Sequence, residues 1–176
     1  MKQNWKQMVT AALCLALCLV LPFLTGQIPQ IGNALAPMHL PVLLAGFLCG
    51  PWWALAVGLL APPLRFVLFG MPPFPAYVAM AFELATYGLV CGLLYHRLPK
   101  KTSNIYVSLV GAMLAGRGVW GIAMTLVMGL KGNAFGWAAF ISGAFLNAIP
   151  GIVVQIVLIP LLVMALRKAG YFKYEW

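Results

Sequence analysis

Acidic side chains are the scarcest chemical resource in this chain, which carries two of them, Glu83 and Glu175, against eleven Lys and Arg. Glu83 stands inside the apolar stretch Met80-Ala81-Phe82-Glu83-Leu84-Ala85-Thr86-Tyr87, and Arg65 and Arg117 stand inside equally apolar stretches. With one acid in such a setting, mechanisms built on paired carboxylates, an acidic magnesium site or a carboxylate proton relay lack their groups. Cys14, Cys18, Cys49 and Cys91 fall inside apolar runs without metal-ligand spacing and read as packing residues. There is no G-x-S-x-G nucleophile motif, no Gly-rich phosphate loop followed by Lys, and no second His at the depth of His39. The remaining chemistry is recognition: a carboxylate, a guanidinium, amides and flat rings suit a small polar molecule. Neither a cofactor nor a metal is expected.

The elements that position these groups follow from composition. Of 176 residues, 64% are hydrophobic and 7% charged, with a formal charge of +9, and mean hydropathy is +0.98. That leaves too little polar surface to coat a soluble particle, so lipid is the solvent. A bilayer core takes about 20 apolar residues as helix. Runs of this kind are read at 6–24, 38–49, 52–69, 76–95, 105–128 and 136–166. The expectation is an all-α integral membrane protein with six transmembrane helices, forming a single substrate-binding unit over residues 1–176. The second run is short, so it is partly irregular or tilted, and the long sixth has room to begin as an interfacial turn. Pro62-Pro63 removes two backbone donors from the third run, predicting a kink or local unwinding, and Met71-Pro72-Pro73-Phe74-Pro75 predicts a stiff turn.

Orientation comes from the bases. Lys2, Lys6, Arg97, Lys100, Lys101, Arg167, Lys168 and Lys173 lie in the N-terminal, fourth-to-fifth and C-terminal segments, whereas Lys131 alone lies in an opposite connection. The positive-inside bias therefore places both termini in the cytoplasm, which agrees with an even number of spans. Reading the first run as a cleaved leader fits less well, because no A-x-A site follows and five spans would remain. Bases dispersed in this way form no nucleic-acid patch.

Counting inward from the outer ends at about 1.5 Å per residue, Glu83 lies about 12 Å down the fourth run, Arg117 about 16 Å down the fifth and Asn147 about 14 Å down the sixth. Tyr87 is one turn from Glu83 on the same face, and Trp120 nearly one turn from Arg117. Gly151 and Gln155 continue the face of Asn147. Two readings stand for this layer: a pocket open to the outside, or a Glu83–Arg117 ion pair joining two helices with Asn147 as interhelical glue. His39 either faces the layer or caps the second run. Arg65, about 7 Å from the outer end of its run, either faces the pocket or snorkels to the interface. The uncharged connection holding Asn33 (27–37) either folds back as a lid or lies in the interface. Ala12 and Ala16, Gly46 and Gly50, and Gly88 and Gly92 have the small-residue spacing that permits close helix approach.

Taken together these residues resemble the substrate-binding S components of energy-coupling factor (ECF) vitamin transporters over essentially the whole chain. The likeness rests on the basic N-terminus before Ala12-Leu13-Cys14-Leu15-Ala16, and on Ala36-Pro37-Met38-His39-Leu40-Pro41-Val42-Leu43-Leu44-Ala45-Gly46-Phe47 with Gly50-Pro51. Gly70-Met71-Pro72-Pro73 and the Glu83 stretch through Gly88-Leu89 extend it. The resemblance implies a plasma-membrane subunit that captures a water-soluble micronutrient, a vitamin or its precursor, from outside. It further implies docking onto a transmembrane coupling subunit and two cytoplasmic ATPases, with Ala12 and Ala16 matching the docking motif and transport by toppling in the membrane. Ligand in such proteins sits in the outer half, under the first outer loop and against helices four to six. That matches the layer of Glu83, Tyr87, Arg117, Trp120 and Asn147, with His39, Asn33, Arg65 and Gln155 as further candidates.

Three other readings are weighed beside it. A stand-alone ion-coupled carrier would use the helix break at Pro62-Pro63 and a midplane site. A structural membrane subunit would have no ligand. A small intramembrane enzyme lacks a nucleophile and base.

Overall fold

In a computed structural model of the protein, the residues described are 2–25, 35–130, 136–144 and 146–171. They form α1 (Lys2–Val20), a 3-10 turn (Leu21–Thr25), α2 (His39–Leu48), α3 (Pro51–Phe69), α4 (Ala76–Arg97), α5 (Thr102–Leu130), α6 (Trp137–Ala144), a second 3-10 turn (Leu146–Ala148) and α7 (Ile149–Lys168). No strand occurs among the described residues. Five stretches are long and apolar enough to cross a bilayer: Trp5–Leu24, Pro51–Phe69, Ala76–Arg97, Thr102–Leu130 and Trp137–Lys168. With 10 residues, α2 rises only about 15 Å, half the hydrocarbon core.

The distribution of side chains is that of a protein dissolved in lipid. Leu13, Leu17, Val67, Leu114, Ile122, Leu126, Val153 and Leu161 are exposed, while His39, Arg65, Glu83, Ser108, Arg117 and Gln155 are buried. Water would reward the reverse, whereas hydrocarbon makes every inward polar group expensive unless it is partnered.

The centre of the bundle is α4, which packs most extensively on α3 and α5 and also touches α2. Small residues allow it. A Cβ on Gly88 would lie 2.5 Å from the Ala54 carbonyl oxygen, and one on Gly92 would lie 2.6 Å from Pro51 Cα. The expected close-approach pair on the fourth run is thus the seat of α3. Gly50 does something else: at φ 85° it starts α3, a backbone conformation that side chains with a Cβ resist. Ala12 and Ala16 lie on the exposed side of α1.

Two expectations about helix continuity come out differently. Helix α3 runs through Pro62 and Pro63, so of the kink or local unwinding anticipated there, the unwinding is absent; α3 packs extensively along α4. The sixth run, by contrast, is broken between Ala144 and Ile149. There Pro150, lacking an N–H, occupies the first turn of α7, a position that tolerates proline and marks a fresh helix start.

Candidate functional site

The N-terminal ends of α2, α4 and α7 and the C-terminal half of α5 meet at one end of the bundle, as alternating chain direction requires. Between them lies a cavity of about 190 Å³ lined by Ala36, His39, Ala76, Met80, Glu83, Arg117, Trp120, Gly143 and Asn147. Its polar floor is Glu83, whose Oε1 lies 2.9 Å from Arg117 Nη1 and 3.4 Å from His39 Nε2.

Local structure explains how these groups meet. His39 opens α2, its N–H bonded to the Ala36 carbonyl at 3.0 Å, and the Cys18 thiol donates to the Met38 carbonyl at 3.5 Å, tying α1 to the same turn. Behind the floor, the Tyr87 ring meets His39 edge-on at 5.1 Å. It also lies against Gly116, where a Cβ would collide with the ring. That glycine brings α5 close enough to α4 for Arg117, the next residue, to reach Glu83. One wall is aromatic: Trp120 stacks with Phe140 at 6.3 Å, Phe140 with Trp137 at 5.2 Å, and a Cβ on Gly143 would come within 2.7 Å of Trp120.

The floor is not finished as a structural ion pair would be. A saturated Arg–carboxylate pair is bidentate, with two parallel N–H···O bonds, whereas here one oxygen meets one nitrogen. Arg117 Nε, both His39 nitrogens, Glu83 Oε1 and the Tyr87 hydroxyl are buried without an aligned hydrogen bond among the described residues. Buried polar groups without aligned hydrogen bonds are costly, and these cluster around the cavity.

Of the residues singled out by type and spacing, the structure brings His39, Glu83, Tyr87, Arg117, Trp120 and Asn147 together. Asn147 sits in the 3-10 turn at the helix break, so its position is set by that break and not by the face of α7. Arg65 is elsewhere: buried, it donates from Nη1 to the Leu19 carbonyl and lies over the rings of Phe23 and Phe69 at 5.0 and 5.3 Å. It does not line the cavity; it caps the carbonyl end of α1, where a cation is favoured. Gln155 is fully buried in α7 and is not part of the lining. Asn33 lies outside the described residues. Among lining residues that type and spacing did not single out, Met80 was findable, lying one turn from Glu83. Ala36, Ala76 and Gly143 contribute only the absence of bulk, which leaves no chemical signal.

A larger cleft of about 460 Å³ opens between α5 and α6, lined by Gly118, Gly121, Ile122, Thr125, Leu126, Gly136, Trp137 and Phe140. These lining residues include no charged side chain, and the cleft lies beside the rings of Trp137 and Phe140. No group of three or more His, Cys, Asp or Glu side chains capable of holding a metal occurs among the described residues.

No curated protein and no solved structure matches the chain. Residues 6–163 match the family described as ECF transporter, substrate-specific component. With that match over most of its length and its several apolar helices, this multi-pass membrane protein belongs to the substrate-specific components of ECF transporters.

Proposed function

We propose that the chain captures a water-soluble vitamin or vitamin precursor from outside the cell in the cavity floored by Glu83, Arg117 and His39. The observation that carries this reading is the convergence of buried, unsaturated polar groups from α2, α4 and α5 on one small cavity walled by Trp120 and Asn147. Tyr87 supports the floor from behind. A residue such as Asn33, in the connection before α2, would cover the ligand, and Gln155 would extend the polar face below Asn147.

Delivery follows from the family. The chain would dock through the face of α1 carrying Ala12 and Ala16, both exposed, onto a transmembrane coupling subunit powered by two cytoplasmic ATPases. Six crossings of the plasma membrane, with α2 and its flanking residues forming the short one, would place both termini in the cytoplasm and the cavity outside. The whole of 1–176 then acts as one unit.

Native mass spectrometry of the detergent-purified chain, expressed in rich medium, tests the capture reading. A retained vitamin-sized molecule that Arg117→Ala loses is the expected outcome. An empty protein that gains no thermal stability from a vitamin panel would favour a structural subunit. Uptake by the chain alone in liposomes under an ion gradient would favour a stand-alone carrier.

A further inference from the structure

The charges around the cavity constrain what enters it. Glu83 is the one acid among the described residues, and it faces Arg117 and His39. The other intramembrane guanidinium, Arg65, is spent on the Leu19 carbonyl and two rings. The formal charges of the cavity floor, the Glu83 carboxylate and the Arg117 guanidinium, sum to zero. In a medium where ions are stable only when compensated, a bound monoanion would leave one uncompensated negative charge.

Shape of the pairing adds a second constraint. The carboxylate and guanidinium meet through a 2.9 Å contact between Glu83 Oε1 and Arg117 Nη1, and Arg117 Nε lacks an aligned partner among the described residues. An acceptor and a donor are therefore held side by side, each with capacity in reserve. The complementary edge is a donor beside an acceptor, as in an amide, a lactam or a zwitterion. Asn147 repeats the pattern, since an amide offers both, and its Nδ2 makes only a 3.4 Å contact with Ser142 Oγ. Trp120 adds a flat wall.

We propose that the cavity selects a small ligand of zero net charge with adjacent hydrogen-bond donor and acceptor, and discriminates against the carboxylate of the same shape. This rests on the capture reading above. A carboxylate would add a second negative charge beside Glu83, whose countercharge, Arg117, it would have to share.

The test uses full-length chain in detergent and two matched probe pairs, nicotinamide against nicotinate and pyrazinamide against pyrazinoate, by titration calorimetry. Any molecule recovered with the purified chain is identified by mass and its charge at pH 7 assigned. The amide should bind at least tenfold more tightly than its carboxylate, with the same enthalpy in buffers of different ionisation heat. Glu83→Gln, which leaves Arg117 uncompensated, should shrink that ratio at least tenfold. Equal or tighter binding of the carboxylate by the unmodified chain, uptake of a proton with the favoured probe, or recovery of a net anion overturns the proposal while leaving capture intact. The unmodified chain decides this even if Glu83→Gln does not fold. Failure of every probe, with nothing recovered, overturns capture and this inference together.

Discussion

Two buried arginines, Arg65 and Arg117, show how one residue type is used in opposite ways within the same bundle. Arg65 gives its N–H to the backbone carbonyl of Leu19 and is flanked by the rings of Phe23 and Phe69. Its partners are neutral, and they pin the end of α1 to α3. Arg117 faces the acid on α4, lines a cavity and leaves Nε without an aligned partner among the described residues. Burial alone thus says little about role. The distinguishing feature is whether the polar capacity of the buried group is used up inside the fold.

The largest effect that would break this contrast is loss of the Arg117 side chain. Removing one member of a buried charge pair costs roughly 2–5 kcal/mol, so Arg117→Ala should weaken ligand binding by about 30-fold or more, measured by calorimetry with whatever molecule co-purifies. Arg65→Ala should leave affinity within about threefold but remove a hydrogen bond from a charged donor, a stability loss of about 1.5–3 kcal/mol, seen as a lower melting temperature of the empty protein. If Arg65→Ala abolished binding at unchanged melting temperature, the distinction would collapse.

Glycines extend the comparison from side chains to helix seats. Gly88→Ala drives a methyl into the Ala54 backbone, and overpacking of this kind costs about 1–3 kcal/mol or more when neither helix can yield. The expected outcome is a less stable protein whose ligand response is unaltered. Gly143→Ala meets instead the Trp120 ring edge at 2.7 Å, and α6 packs far less closely than α4. That substitution should shift Trp120, weaken binding by about three- to tenfold and leave the melting temperature of the empty chain almost unchanged. Tryptophan fluorescence with and without ligand separates the two.

Much of the fold was legible because hydrophobic run length and charge are physical requirements of a bilayer. The helices fall close to the apolar runs read from composition, and the layer of Glu83, Arg117 and Asn147 emerged from depth counting. The misreadings came from interactions between elements. Pro62-Pro63 signals a kink or local unwinding by local chemistry, yet α3 stays helical where it packs on α4; Pro150 instead sits in the first turn of α7, which tolerates proline. The partner of Arg65 is a backbone carbonyl, which has no residue signature at all. His39, reached from α4 and α5, could be tied to Glu83 only once the helices were in place.

The smallest expected effect sharpens the comparison at its edge. Asn147 lies in the turn between α6 and α7, exposed, with one long contact to Ser142. Among the described residues the amide makes only that contact, so Asn147→Ala should not change the melting temperature of the empty protein. A neutral hydrogen bond contributes about 0.5–1.5 kcal/mol, so the same substitution should weaken ligand binding by about two- to tenfold if the amide reaches the cavity's occupant. Asn147→Asp is the sharper variant: it keeps the acceptor, loses the donor and adds a negative charge beside a floor that sums to zero. For a ligand of zero net charge the two variants should differ little, whereas for an anion Asn147→Asp should be far worse than Asn147→Ala. Calorimetry on the pair therefore reads the ligand's charge without touching Glu83 or Arg117.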